Sequence, residues 1–206
     1  MNRNTTFWTR RNVNLDSTFR CALECPNCQR SKHFKGNVPG RDLSMSAFIK
    51  LAEFFEEIHF CGQLSDPVHH PQFIEFLKIC NERKIFNNIH NASSAKSKDW
   101  YIKAFQANPD ARWWFGIDGL PQQSHRYRIN QDGEKLFDIM LEAKKHLNNR
   151  PTWQYIVFRY NEYNVEQAKQ MAIENGVNFS LMISSRWLGK DDPNMPTQPK
   201  YRMTMK

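Results

Sequence analysis

The sequence is short of several things, and each scarcity narrows what the protein does. No stretch reaches the ~18 consecutive apolar residues of a membrane span. Met1–Asn14 is polar and lacks the apolar core of a signal peptide, so a cytoplasmic protein is expected. The 5 cysteines in 206 residues are too few and too unevenly placed for a disulfide framework. Acidic residues are also in deficit: 21 Asp and Glu against 29 Lys and Arg leave a formal net charge of +8. That balance suits a nucleic acid, an anionic substrate or an acidic protein partner, and equally suits a solvated basic surface.

What is present is enough for one full core, with hydrophobic residues at 40%. Short apolar strands alternate with amphipathic helices along the chain. The strands are expected at Val13–Phe19, Ile58–Cys61, Ile85–His90, Arg112–Ile117, Trp153–Arg159 and Asn178–Ser184. Helices are expected at Ser46–Glu56, from Pro71 onward, and at Asp99–Gln106, Gly133–Leu147 and Val165–Asn175. The second of these carries the stripe Phe73, Phe76, Leu77 and Cys80, and Gly176 stops the last. Six units of ~30 residues argue for an all-parallel sheet with helices outside. A closed eight-stranded barrel needs about 250 residues, so an α/β fold with an open, partial (β/α)6 TIM-like barrel is expected. It would occupy residues 1–188, and residues 189–206, rich in proline and without periodicity, read as an irregular tail or lid.

Three of the cysteines stand in Cys21-Ala22-Leu23-Glu24-Cys25-Pro26-Asn27-Cys28, after the first strand and before a basic loop, Gln29–Lys35. Structural zinc sites close with four ligands, and ordinary iron–sulfur clusters use four thiolates. Three thiolates leave one position open, which is where a substrate or cofactor binds. In this fold class ligands sit at the C-terminal ends of the strands, and the cysteine loop follows strand one at that end.

The C-x3-C-x2-C spacing in that setting resembles the cluster motif of the radical S-adenosyl-L-methionine (radical SAM) enzymes. The order of the later motifs supports the resemblance. Leu64-Ser65-Asp66-Pro67-Val68-His69-His70-Pro71 is similar to the family's Gly-Gly-Glu-Pro segment and its continuation, with Leu64 and Ser65 in place of the glycines. Ile89-His90-Asn91-Ala92-Ser93 resembles the segment closing the third strand. Gly116-Ile117-Asp118-Gly119 resembles the end of the fourth strand, with Gly116 where relatives carry a serine that often touches the ribose. His125-Arg126-Tyr127-Arg128 is similar to the segment supplying an arginine near the SAM carboxylate. The strand-five segment Ile156–Glu162 resembles the branch whose longer members carry a C-terminal auxiliary-cluster (SPASM) domain. Only Cys61 and Cys80 follow Cys28, so no auxiliary cluster is expected.

The resemblance implies that Cys21, Cys25 and Cys28 hold a [4Fe-4S] cluster. It implies that Ser65, Asp66, Asn91, Asp118, Arg128 and Arg159 serve the SAM cofactor, with Arg126 the second choice to Arg128. Asp66 would take the SAM amino group, Gly62 would compensate for the lost glycines, and Arg30 or Phe34 would shape the adenine wall. Arg159 suits a structural ion pair equally well. Cys61 is either a packed thiol or a hydrogen-atom donor to a substrate radical, and Cys80 is a core residue. The implied substrate is a peptide or protein, with nucleotide or nucleic acid as the rival, and the implied electron donor is a flavodoxin- or ferredoxin-type protein. Two other readings stay open: a zinc-binding nucleic-acid module using the three cysteines and His33, and a non-catalytic cluster-binding protein of the same fold.

Overall fold

The computed structural model describes residues 11–189 and 191–202. Its strands are β1 (Asn12–Asn14), β2 (Glu57–Phe60), β3 (Phe86–Asn91), β4 (Arg112–Gly116), β5 (Thr152–Val157) and β6 (Asn178–Ile183). They form a single sheet in chain order, and every neighbouring pair is parallel. A doubly wound sheet would reverse its strand order at a switch point. Here each crossover advances one strand the same way, which curls the sheet into a partial (β/α)6 barrel, as the unit count predicts.

The pleat sorts side chains between two faces. Ile58, Phe60, Ile89, Trp113, Phe115, Trp153, Tyr155 and Val157 are fully buried against the helices. Those helices are α1 (Gln29–Phe34), α2 (Met45–Phe54), α3 (Phe73–Glu82), α4 (Lys98–Ala107), α5 (Gly133–Ala143) and α6 (Val165–Glu174). Phe73, Phe76, Leu77 and Cys80 of α3 are all fully buried, as the stripe predicts. Phe48 of α2 stacks on Phe76 at 4.0 Å between ring centroids. The alternate strand residues face the concave side and mix polar His59, Asn88, His90 and Gln154 with apolar Trp114 and Ile156. Side-chain caps start α2, α4 and α5, where Ser44, Ser97 and Asp132 accept from the N–H three residues on.

Three expectations about elements need correction. The first strand is not Val13–Phe19 but only Asn12–Asn14. After Leu15, whose N–H reaches the His59 carbonyl at 2.8 Å, ladder bonds give way to a side chain. The Asp16 carboxylate accepts from Gln63 N, Leu64 N and Ser65 Oγ, at 3.0, 3.4 and 2.8 Å. The basic segment after the cysteines is a helix, α1, with Cys28 at its N-cap, ended by Lys35 in the left-handed region at φ 49°. Pro71 does not open α3. Asp66 caps a 3₁₀ turn at Pro67–His69, and α3 begins at Phe73. Among the described residues no helix is long and apolar enough to cross a membrane.

Candidate active site

A cavity of about 470 Å³ opens at the C-terminal ends of the strands. Cys21, Cys25 and Cys28 line it together with Ser65, Asp66, Asn91 and Arg128. Residues 37 to 107 positions apart in the sequence from the cysteines thus share one space with them.

The cysteines are free thiols, half-buried on one wall. Burial pushes Cys21 up to about 12, and the Asp66 carboxylate adds to that rise. Burial also pushes Cys25 up to about 11, against the pull of the Arg128 guanidinium. Thiols this hard to ionise are poor nucleophiles. Metal coordination is what would deprotonate them outright, so the chemistry of the set fits ligands better than attacking groups. The Leu23 N–H points at Cys21 Sγ at 3.4 Å, a bond that steadies a ligating thiolate. Among the described residues no three His, Cys, Asp or Glu side chains are gathered to hold a single metal ion. A multi-iron cluster spans more space than one ion and needs its thiolates further apart. His33 is exposed on the last turn of α1 and does not line the cavity that the three cysteines share.

The strand-end residues take less uniform positions. Asp66 is buried, and both its carboxylate oxygens are used. Oδ1 accepts from Val68 N at 3.2 Å, and Oδ2 accepts from Ala92 N at 2.7 Å and Ser93 N at 2.9 Å. It therefore ties the end of β2 to the end of β3. Ser65 Oγ is spent on Asp16. Gly62 has φ +40°, and an added Cβ would lie 2.0 Å from the Ser65 carbonyl oxygen. That glycine serves the tight turn Gly62–Ser65. Asn91 is buried with Oδ1 accepting from Ser93 N at 3.0 Å, and its side chain also meets the hydroxyl of the buried Tyr101.

Arg128 lies across the end of β4. Its Nε sits 2.7 Å from Asp118 Oδ2 as an ion pair, with the Asp118 side chain wholly buried. A Cβ on Gly116 would lie 2.8 Å from an Arg128 terminal nitrogen. The missing serine thus has a steric reason: the arginine fills its place. Asp118 Oδ1 accepts from Ile156 N at 2.8 Å, linking β4 to β5. Arg126 is exposed, its guanidinium 5.2 Å over the Tyr160 ring, and does not line the cavity.

Arg159 stays off the cavity in a structural role. Its Nε donates to the Met195 carbonyl at 3.1 Å, and its N–H bonds the Asn194 carbonyl at 2.9 Å. It holds the C-terminal segment, which also reaches the cysteine loop: Asn27 Nδ2 donates to Asp192 Oδ2 at 2.9 Å in a buried contact. Tyr201 of that segment is buried against the core.

Several lining residues had little sequence signal. Tyr127 and Phe158 stack at 3.9 Å and supply the aromatic wall, whereas Phe34 does not line the cavity. Arg30 does line it, but its guanidinium donates to the carbonyls of Phe19 and Leu64. Cys61 lines the cavity half-exposed, its Sγ 3.6 Å from Asn14 Oδ1, so it is not a packed core thiol. His90 and Gln154 meet on the concave floor at 3.1 Å. Their position follows from strand alternation, since they sit out of phase with the buried residues of β3 and β5.

No protein-family model matches the sequence, and no curated protein matches it. Solved structures do match. Streptococcus suis SuiB bound to S-adenosylmethionine aligns at TM-score 0.70 and 11% identity, over 92% of this chain and 44% of SuiB. SuiB bound to the precursor peptide SuiA aligns at 0.67 and 13%, over 84% of this chain and 39% of that one. Methylornithine synthase (PylB) aligns at 0.65 and 12%, over 89% of this chain and 56% of the synthase. The chain thus spans about two-fifths to just over half of the proteins it matches. What these likenesses establish is the fold, a six-stranded partial barrel.

Proposed function

We propose that the protein is a radical SAM enzyme, in which a [4Fe-4S] cluster reductively cleaves SAM and the 5′-deoxyadenosyl radical abstracts a hydrogen atom from a substrate. One observation carries the reading: the three cysteines share a single strand-end cavity with Asp66, Asn91 and Arg128, the residues that the ordered motifs single out. A protein of the same fold has been crystallised with SAM.

In this reading Cys21, Cys25 and Cys28 are the cluster ligands. Arg128 has its Nε committed to Asp118, which leaves its terminal nitrogens to take the SAM carboxylate through two parallel donors. Asp66 acts mainly by bracing the ends of β2 and β3, and Asn91 braces the same turn through Ser93 N. The stacked rings of Tyr127 and Phe158 offer an apolar, π-rich surface to the adenine. A peptide or protein substrate is supported by the precursor peptide bound to SuiB. The excess of basic residues suits docking of an acidic flavodoxin- or ferredoxin-type electron donor.

A second reading, a cluster-binding protein without SAM cleavage, is favoured by the engagement of Asp66 with three backbone amides and by Arg30 on the Leu64 carbonyl. One assay separates the two. The protein is reconstituted anaerobically with iron and sulfide, given SAM and dithionite, and assayed for 5′-deoxyadenosine, with Cys25→Ala as control. Product from the wild type alone supports the enzyme. A cluster without product supports the binder, and zinc with no cluster overturns both.

A further inference from the structure

His90 and Gln154 are the one side-chain pair on the cavity floor that the cofactor reading leaves without a task. His90 Nδ1 and Gln154 Oε1 lie 3.1 Å apart, joining β3 to β5 across β4. The intervening Trp114 stacks on His90 at 5.2 Å and 16°, which fixes the plane of the imidazole. Both residues line the cavity, and among the described residues neither His90 Nε2 nor the Gln154 amide nitrogen has a protein partner. Burial favours the neutral imidazole, and the nearby His59 works in the same direction.

Two arrangements satisfy the contact within the pair. In one, Nδ1–H donates to Oε1, which leaves Nε2 as an acceptor and the amide NH2 as a donor. In the other, the amide donates to Nδ1, which leaves Nε2–H as a donor and Oε1 as an acceptor. Either way the neutral pair turns one donor and one acceptor toward the cavity. The group that answers such a pair is itself neutral, with one acceptor and one donor side by side. A primary carboxamide has that pattern, as do the N–H and C=O of one residue in an extended chain, and a carboxylate or phosphate does not.

Resting on the reading of this cavity as the substrate site, we propose that His90 and Gln154 recognise an amide group of a polypeptide substrate. The rest of the lining agrees. The cations on the wall are already engaged: Arg30 on two carbonyls, Arg128 on Asp118, and Arg186 on Gln63 Oε1 at 2.9 Å. With the Arg128 terminal nitrogens claimed by the SAM carboxylate in the proposed reading, none stands ready for a phosphate, which nucleic-acid binding depends on. The lip formed by β6 is apolar and open, with Met182 43% and Ile183 38% exposed, a surface suited to the side chains flanking a peptide group.

The test is a ¹⁵N-histidine NMR titration of the full chain without iron, so that its outcome does not depend on cluster assembly, which the 5′-deoxyadenosine assay decides. The probes are N-acetylalanine methylamide, acetate and uridine monophosphate, and the His90 signals are assigned by their loss in His90→Phe. The expected result is a shift of His90 Nε2 with the blocked amide at millimolar concentration and none with acetate. In Gln154→Met, its fold checked by the amide spectrum, the amide affinity should fall at least tenfold. A stronger response to acetate or to the nucleotide, no response to any probe, or an amide response that survives Gln154→Met would overturn the proposal.

Discussion

Replacing Asp118 by asparagine tests the geometry at the end of β4 most directly. The side chain is fully buried, accepts from Ile156 N at 2.8 Å and pairs with Arg128 Nε at 2.7 Å. Asparagine keeps the shape and one acceptor, so backbone packing is preserved while the charge is lost. Removing one partner of a buried ion pair costs about 3–5 kcal/mol, chiefly because the other charge stays desolvated. The Arg128 side chain is 12% exposed and borders the cavity, whose water partly screens it. The lower end, about 3 kcal/mol, is therefore expected. For a domain of this size each kcal/mol lowers Tm by roughly 2–4 °C, which gives a drop of about 6–12 °C. Thermal unfolding of the iron-free protein, followed by far-UV circular dichroism, reads this directly. Adding Arg128→Met removes the stranded charge and should recover most of the loss. A single variant within about 1 kcal/mol of wild type, or a double variant no better than the single, would refute the desolvated pair.

Four other expectations follow from the site. Burial lifts Cys25 from 9.0 to about 11, so iodoacetamide at pH 8 should alkylate it ~100-fold more slowly in the folded iron-free chain than in urea; equal rates by mass spectrometry would contradict the burial. Because that folded pKa is raised, the thiol's contribution to stability is complete below pH 9 and is lost as pH climbs through 11, a slope Cys25→Ala should lack. Gly116→Ser puts a Cβ 2.8 Å from an arginine nitrogen pinned by Asp118, so a loss of about 1–3 kcal/mol is expected by chemical denaturation. Asp192→Ala frees Asn27 and the N–H groups of Leu188 and Asn194, and trypsin should then cut after Arg186 sooner than in wild type.

Periodicity read the architecture well because the helix-facing side of the sheet is so apolar. Phe73, Phe76, Leu77 and Cys80 declare α3 outright, and Trp113 and Phe115 declare β4. The expected first strand overruns because Val13, Leu15 and Phe19 stand on alternate positions, while Asp16 diverts the hydrogen bonding. Alternation cannot show where a carboxylate replaces a ladder. The cysteines and Arg128 were legible because their spacing or order is distinctive. Arg159 was not, since its fate depends on Met195 and Asn194, some 35 residues away and without any pattern. His90 and Gln154 acquire meaning only when curvature brings β3 and β5 together over Trp114.

The departures from the motifs bear on whether the cavity catalyses or merely binds. A site released from function accumulates substitutions without regard to one another, leaving holes and unpaired groups scattered through it. Here the departures are matched. Gly116 stands where Arg128 needs the room, and Arg128 is neutralised by Asp118. Leu64 and Ser65 replace glycines in a turn that Gly62 and Asp16 rebuild, the one by its φ of +40° and the other by three accepted bonds. Matched departures favour a working pocket over a decayed one, and they make Arg128→Met, which removes a cation on the cavity lining, a sharper probe of the proposed SAM affinity than Asp66→Ala, whose bonds all lie within the protein.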